Sequence, residues 1–304
     1  MQISTVVNEI KKIIPEDKIR LNEPMKLHTS FRIGGPADIL LLPTEVSEIR
    51  NVVIFCRKHD IPLYVIGNGS NLLIRDKGIR GIVLKISQNF NDIEVKDNFI
   101  KAKSGTLVTV LSKTALENHL KGLEFASGIP GTLGGAIAMN AGAYDGEFSK
   151  IIEKVTVMDF EGNIRDLIKE ELEFDYRWSV FQEKNLIILE ALIKLEKGNY
   201  DEIKSKMEEY SARRKEKQPL NLPSAGSTFK RPKGHFAGTL IEKAGLKGTR
   251  IGDAAVSELH AGFIVNLGNA TACDVERLIE YVQKKVYEKF QIWLEPEVKI
   301  LGEK

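Results

Sequence analysis

Cysteine is scarce: Cys56 and Cys273 lie far apart and have no CxxC or Cys/His spacing around them. That scarcity excludes a disulfide framework and a cysteine-based zinc site. Both cysteines fall in helical patterns and are expected to be reduced structural thiols. Charge of one sign is absent too, since 44 basic residues against 42 acidic leave a formal +2. Such balance argues against a general nucleic-acid or membrane-surface role, so any basic site must be local. The opening MQISTVVNEIKKIIPEDK interrupts its apolar residues with Asn8, Glu9, Lys11 and Lys12. It therefore lacks the apolar core of a secretory signal, and a cytoplasmic location is expected. No repeat or low-complexity tract appears.

What is present in excess is uncharged chain. From Phe125 to Tyr144 no residue carries a charge, a run about long enough to span a bilayer. A membrane helix fails, however, because Gly128, Pro130, Gly131, Gly134, Gly135 and Gly142 interrupt it and offer little apolar surface. A phosphate loop of the P-loop kind fails as well, for want of a lysine beside the last glycine. The remaining use is a loop or broken helix whose backbone lies close against a ligand, since glycine permits both positive φ and an approach without Cβ.

Periodicity mixes strands with helices throughout. The run 37–43 reads as a strand, and Thr44 can cap a helix through Asp60 with Val46, Ile49, Val53 and Cys56 on one face. Short β-rich runs follow at 62–66 and 81–86. Further on come a hairpin turning at Asp97-Asn98, a helix from Thr106 to His119, a hairpin around Glu161-Gly162-Asn163 and a long strand at 186–196. Residues 201–217 form a helix that Pro219 stops. Beyond it lie a short helix near 236–244, strands around 253–266, a helix from Thr271 to about Phe290 with Thr271 and Asp274 spaced as a capping box, and a final strand in EPEVKILG. With 42% hydrophobic residues the chain can build two or three cores. The expected domains are 1–88, a small α/β unit, 89–217, mostly sheet, and 218–304.

A second glycine loop, VIGNGSN at 65–71, follows directly on a strand, and Gly67, Gly69, Ser70 and Asn71 offer successive backbone N–H groups. Such a nest holds a pyrophosphate without a lysine. It is not GxGxxG and no helix follows, which disfavours a Rossmann site. Two lysine-free glycine loops suit one anionic, planar cofactor lying between domains, and a flavin dinucleotide has that shape.

Seven stretches, HTSFRIGGPAD (28–38), VIGNGSNLLI (65–74), FASGIPGTLGGAIAMNAGAY (125–144), FDYRWSVF (174–181), PSAGSTFKRP (223–232), HAGFIVN (260–266) and EPEVKILG (295–302), occur in an order that resembles the UDP-N-acetylenolpyruvoylglucosamine reductase family. The resemblance implies an α+β chain. Two α/β subdomains would make an FAD-binding fold of the vanillyl-alcohol-oxidase type, and 218–304 a C-terminal α+β substrate-binding domain. It also implies the shorter subtype, without a lid insertion. The implied activity is NADPH-dependent reduction of UDP-N-acetylglucosamine enolpyruvate to UDP-N-acetylmuramate for peptidoglycan, by a monomer with non-covalent FAD and no nucleic-acid, membrane or metal partner. FAD contacts would come from Ile66, Gly67, Asn68, Gly69, Ser70 and Asn71. The long run would add Ser127, Gly128, Ile129, Pro130, Gly131, Gly134, Gly135, Ala136, Asn140 and Gly142.

Arg177, Ser227 and Glu297 are the implied catalytic set. An arginine fork matches a carboxylate bidentately. A serine stays protonated at neutral pH and can still give its proton to a carbanion, and a glutamate of raised pKa can assist. Glu295 is the rival to Glu297, and His260 reads as structural. Around Arg213, Arg214, Lys215, Lys217, Lys230 and Arg231 positive charge gathers. Lys217 and Lys230, with Arg231 behind them, are expected on the UDP diphosphate, with Arg214 and Lys215 open to reading as a solvated helix end. Arg231 stands where longer members carry Asn. Tyr176 is the aromatic expected to cover the nucleotide. Two other functions remain open on the residues: an FAD-dependent alcohol oxidase of the same fold, and a non-catalytic nucleotide-sugar binder.

Overall fold

The structure, a computed structural model, describes residues 2–304. Its helices are α1 (Ile3–Ile10), α2 (Val46–Lys58), α3 (Val108–Glu117), α4 (Leu133–Ala138), α5 (Tyr200–Lys217), α6 (Ala237–Lys243) and α7 (Ala272–Phe290). None of the described helices is long and apolar enough to cross a membrane. The described chain forms two compact units: residues 2–21, 39–68 and 81–214 in the first, and 22–38, 69–80 and 215–304 in the second.

In the first unit the alternating runs make a five-stranded antiparallel sheet, ordered Ile164–Ile168, Ile152–Asp159, Leu186–Lys194, Phe99–Lys103, Ile93–Lys96. Its Val155, Ala191 and Ile193 pack with Leu111 of α3 and with Leu133 and Ile137 of α4. Each large aliphatic side chain so buried contributes about 1.5–3 kcal/mol. Strand Leu63–Ile66 pairs in parallel with Ile82 to Lys85. Above it α2 buries Ile49, Val52, Val53 and Cys56 in a cluster with Ile39, Leu41 and Leu84.

The start of α2 corrects the expected cap. Glu45, not Thr44, occupies the cap position, and the Glu48 carboxylate accepts both the Thr44 amide at 2.7 Å and the Glu45 amide at 3.2 Å. A second correction concerns the cysteines. Cys56 is buried, and desolvation pushes its thiol up to about 12, but Cys273 is exposed on the first turn of α7 and supports no core.

In the second unit an antiparallel sheet runs Ser224–Ser227, Phe263–Asn266, Ala254–Val256, Arg250–Ile251. Helix α7 contributes Val275, Leu278, Val282 and Val286 to its core, all fully buried, as the 3.6-residue spacing requires. The Thr271–Asp274 capping box forms as expected. The Asp76 carboxylate adds a second cap, accepting the amides of Ala272 and Cys273 at 2.8 and 3.0 Å. Strand Leu72–Ile74 pairs in parallel with Lys299–Leu301, and Phe31, Ile33 and Leu73 join the core.

Candidate functional site

The uncharged run is irregular from Ser127 to Thr132 and then forms α4, a helix of six residues capped by the Thr132 side chain. Its glycines have a reason the sequence did not suggest. In the run, a Cβ on Gly134 would lie 3.0 Å from Ser104 Cβ and one on Gly142 2.6 Å from Gly146 O; in the loop 65–71, one on Gly67 would lie 2.4 Å from Thr132 Oγ1. At Gly128 it would meet Arg214 Cδ and Nη1 at 2.9 Å. These glycines admit the chain's own atoms.

Arg214 is therefore packed against Gly128 and not solvated at a helix end, and burial pulls its guanidinium below the ordinary value. One turn earlier Tyr210 stacks on Tyr144 at 4.3 Å, which fastens α5 to the end of the run.

Amides sort the two loops further. In the long run those of Leu133, Gly134, Gly135 and Ala136 are taken by Thr106 O, Ser104 O, Thr132 Oγ1 and Thr132 O, and those of Ser127 and Ile129 by Glu124 O and Ala126 O. The amides of Gly128 and Gly131 are unpaired, while Pro130 has none. After buried Ile66, the amides of Gly67 and Asn68 in the first unit make no hydrogen bond, and neither do those of Gly69 and Ser70 in the second. Asn68 Nδ2 donates to Pro130 O at 2.7 Å and so ties the two loops together. Unpaired backbone donors are rare in folded chains unless water or a ligand takes them. The two in the first unit, Gly67 and Asn68, suit the pyrophosphate of FAD.

Arg177 also lies in the first unit, at the tip of a tight turn. Asp175 and Trp178 exchange two backbone hydrogen bonds of 3.1 Å, and of the two residues between them Arg177 alone has positive φ, +54°. That pattern matches a type II turn, whose third position ordinarily takes glycine. An arginine there costs about 1–2 kcal/mol, so something other than local preference selects it. Its Nη2 donates to Gly142 O at 2.8 Å, and Cζ lies 5.2 Å from the Tyr176 ring centroid. Tyr176 itself is exposed. Asn140, only 1% exposed, donates to Asp175 O at 3.0 Å and accepts the Ser149 amide at 2.9 Å, so its side chain is spent on the chain's own loops.

The second unit holds the other two members of the proposed set. Ser224 pairs with Val265 and Ser227 with Phe263, three steps against two, so the strand carries a β-bulge, with Gly226 at φ +77°. Bulges of this kind re-aim a side chain. Ser227, half-buried, follows the bulge, and its hydroxyl makes no hydrogen bond within the described chain.

Beside it the segment 295–297 runs antiparallel: Glu297 N donates to Thr228 O at 2.8 Å and Lys230 N to Glu295 O at 2.9 Å. Asn71 Nδ2 donates to Glu297 O at 3.1 Å, and Lys299 N to Asn71 O at 3.0 Å. The fold thus gathers Asn71, Ser227, Lys230 and Glu297. Lys230 pairs with Glu295. Lys299, which the sequence reading missed, is pulled below its ordinary value by burial and then by the charge of Lys230. Its only sequence signal was its place in the EPEVK run. Arg231 lies 4.4 Å from the Phe236 ring centroid. Lys217 stands exposed at the end of α5, bonded to none of these. His260 Nδ1 accepts the Gly262 amide at 3.1 Å in the turn before the strand, and burial lowers its pKa.

Comparison with known proteins gives the family. Residues 37–167 match the FAD binding domain family model, and 218–301 match the C-terminal domain of UDP-N-acetylenolpyruvoylglucosamine reductase. The chain is 56% identical to the UDP-N-acetylenolpyruvoylglucosamine reductase of Caldanaerobacter subterraneus over 98% of its length and 99% of the relative's. It is 53% identical to that of Clostridioides difficile over 96% of both. A solved structure of the enzyme from Thermus caldophilus superposes with a TM-score of 0.79 at 35% identity, covering 93% of this chain and 98% of that one. An alkyldihydroxyacetonephosphate synthase structure, at 17% identity and TM-score 0.50, covers 65% of this chain and 41% of its own, a likeness of fold alone. Together these establish an α+β chain with an FAD-binding fold of the vanillyl-alcohol-oxidase type.

Proposed function

The chain belongs to the UDP-N-acetylenolpyruvoylglucosamine reductase family, and we propose that it takes its reducing equivalents from NADPH and completes the reaction with a proton from Ser227. The family reduces the enol ether of the UDP-sugar to the lactyl ether of UDP-N-acetylmuramate. Bound FAD supplies a two-electron relay, through N5, between the nicotinamide and the enol-ether carbon. The unpaired amides of Gly67 and Asn68 are suited to hold its pyrophosphate.

Addition of hydride leaves negative charge on the neighbouring carbon and on its carboxylate. Arg177 holds that carboxylate through its planar fork. Ser227 Oγ gives the proton, and Glu297 assists at the same centre. Lys217, Lys230 and Arg231 take the diphosphate, 218–304 acts as the substrate-binding domain, and Tyr176 covers the nucleotide. The observation that carries this reading is the uncommitted Ser227 hydroxyl behind the Gly226 bulge, on a strand beside the segment bearing Glu297.

The experiment follows the flavin colour anaerobically. NADPH should bleach it, and the enolpyruvyl sugar nucleotide should restore it. In Ser227→Ala the bleaching should keep its rate while recovery slows roughly 10²–10⁴-fold. Recovery at the parent rate would remove Ser227 from the chemistry. Steady oxygen consumption with a simple alcohol would point instead to an oxidase.

A further inference from the structure

The geometry points to Gln182 as a positioning residue that holds Arg177 in its left-handed conformation and so aims the guanidinium. Gln182 ends the short 3₁₀ turn Val180–Gln182. Its Nε2 donates to two carbonyls, Arg177 O and Ala138 O, each at 2.9 Å. One amide group thereby joins the backbone of the strained residue to the end of α4.

Neighbouring bonds make that anchor rigid. Ala138 O also accepts from Ser179 Oγ at 2.8 Å, with Ser179 fully buried, and the Gln182 backbone N–H donates to Ser179 O at 3.0 Å. On the other side of the turn Asn140 holds Asp175 O at 3.0 Å, and Gly142 O receives Arg177 Nη2 at 2.8 Å. A residue that prefers to leave positive φ stays there only when its surroundings over-determine it. Gln182 grips the very carbonyl whose orientation changes if Arg177 relaxes. Without the grip the turn has an escape, and the guanidinium moves with it.

This inference rests on Arg177 as the carboxylate partner, so the test uses two nucleotides that differ there. UDP-N-acetylmuramate carries the carboxylate, and UDP-N-acetylglucosamine has none. Calorimetry on the FAD-loaded protein should show Gln182→Leu weakening the first about tenfold while the second changes by less than about twofold, with kcat for the enolpyruvyl substrate falling in step. Gln182→Lys, whose ammonium donates to both carbonyls, should recover most of the loss. Arg177→Ala should show the same selectivity more strongly. If Arg177→Ala treats both nucleotides alike, the reading of Arg177 falls and takes this inference with it. If Arg177→Ala is selective but Gln182→Leu is not, or Gln182→Leu weakens both ligands equally, Gln182 is structural only and the inference alone is overturned.

Discussion

Gly226 offers the sharpest test of how the backbone places Ser227. Its φ of +77° is open to glycine and costs an alanine about 1–2 kcal/mol. An added Cβ would meet nothing within 4 Å, so no clash enlarges that cost. Stiffening of the unfolded chain offsets about 0.4–1 kcal/mol, leaving a net destabilisation near 1 kcal/mol for Gly226→Ala. A β-branched side chain is worse in the left-handed region, and Gly226→Val escapes by returning to an extended conformation. That erases the bulge, and because strand side chains alternate, one step of register turns Ser227 to the opposite face. The variant should therefore fold, take up flavin and be bleached by NADPH at the parent rate, while re-oxidation by the enolpyruvyl sugar slows roughly 10²-fold. Gly226→Asn should lose far less, since asparagine tolerates this region. Stopped-flow absorbance under anaerobic conditions separates the two half-reactions. If Gly226→Val is re-oxidised as fast as the parent, the bulge does not aim the serine and the argument is wrong.

Two further expectations concern the first unit and the thiols. Partial burial pushes the Glu48 carboxyl up, but the Thr44 amide, Lys18 and the Glu45 amide outweigh it and hold the group below its ordinary value. A depressed carboxyl contributes stability that is complete above its unfolded pKa and lost as pH falls through the folded one. Glu48→Gln should thus destabilise by about 1 kcal/mol at pH 7, with the gap closing below roughly pH 4; denaturant titrations showing the same gap at both pH values would contradict this. With Cys273 exposed and the Cys56 thiol buried and pushed up to about 12, a thiol-specific dye should label Cys273 quickly and Cys56 only on unfolding. Rapid labelling in a Cys273→Ser variant would show that the α2 face opens.

Hydrophobic period made most elements legible. The face of α7 is the pattern Val275, Leu278, Val282, Val286, and the hairpin at Asp97-Asn98 turns where the left-handed φ of Asp97, +56°, permits. What failed was read from residue type without its neighbours. Thr44 looked like a cap until Glu48 reached back to claim both amides. Residue type alone also hides that Ser104 packs against Gly134 and Arg214 against Gly128, a reason for these glycines that needs no ligand. No local signal tells an exposed Cys273 from a buried Cys56 when both sit on helices. Nor does chain order reveal that 22–38 and 69–80 belong with 215–304, because that grouping arises from pairings made across more than two hundred residues. Gln182 left no trace in the motif beside it, since its role is set by where the Ala138 carbonyl ends up.

The borrowed segments 22–38 and 69–80 also govern when the molecule can mature. Strand Leu72–Ile74 finds its parallel neighbour in Lys299–Leu301, Asp76 caps the helix terminus at Ala272, and Asn71 bonds Glu297 and Lys299. During synthesis strand Leu72–Ile74 therefore meets its partner only when nearly the whole polypeptide has emerged. Excising 218–304 as a stand-alone fragment would strip it of that neighbour and leave Lys299–Leu301 an open edge, ready to recruit a stranger's strand.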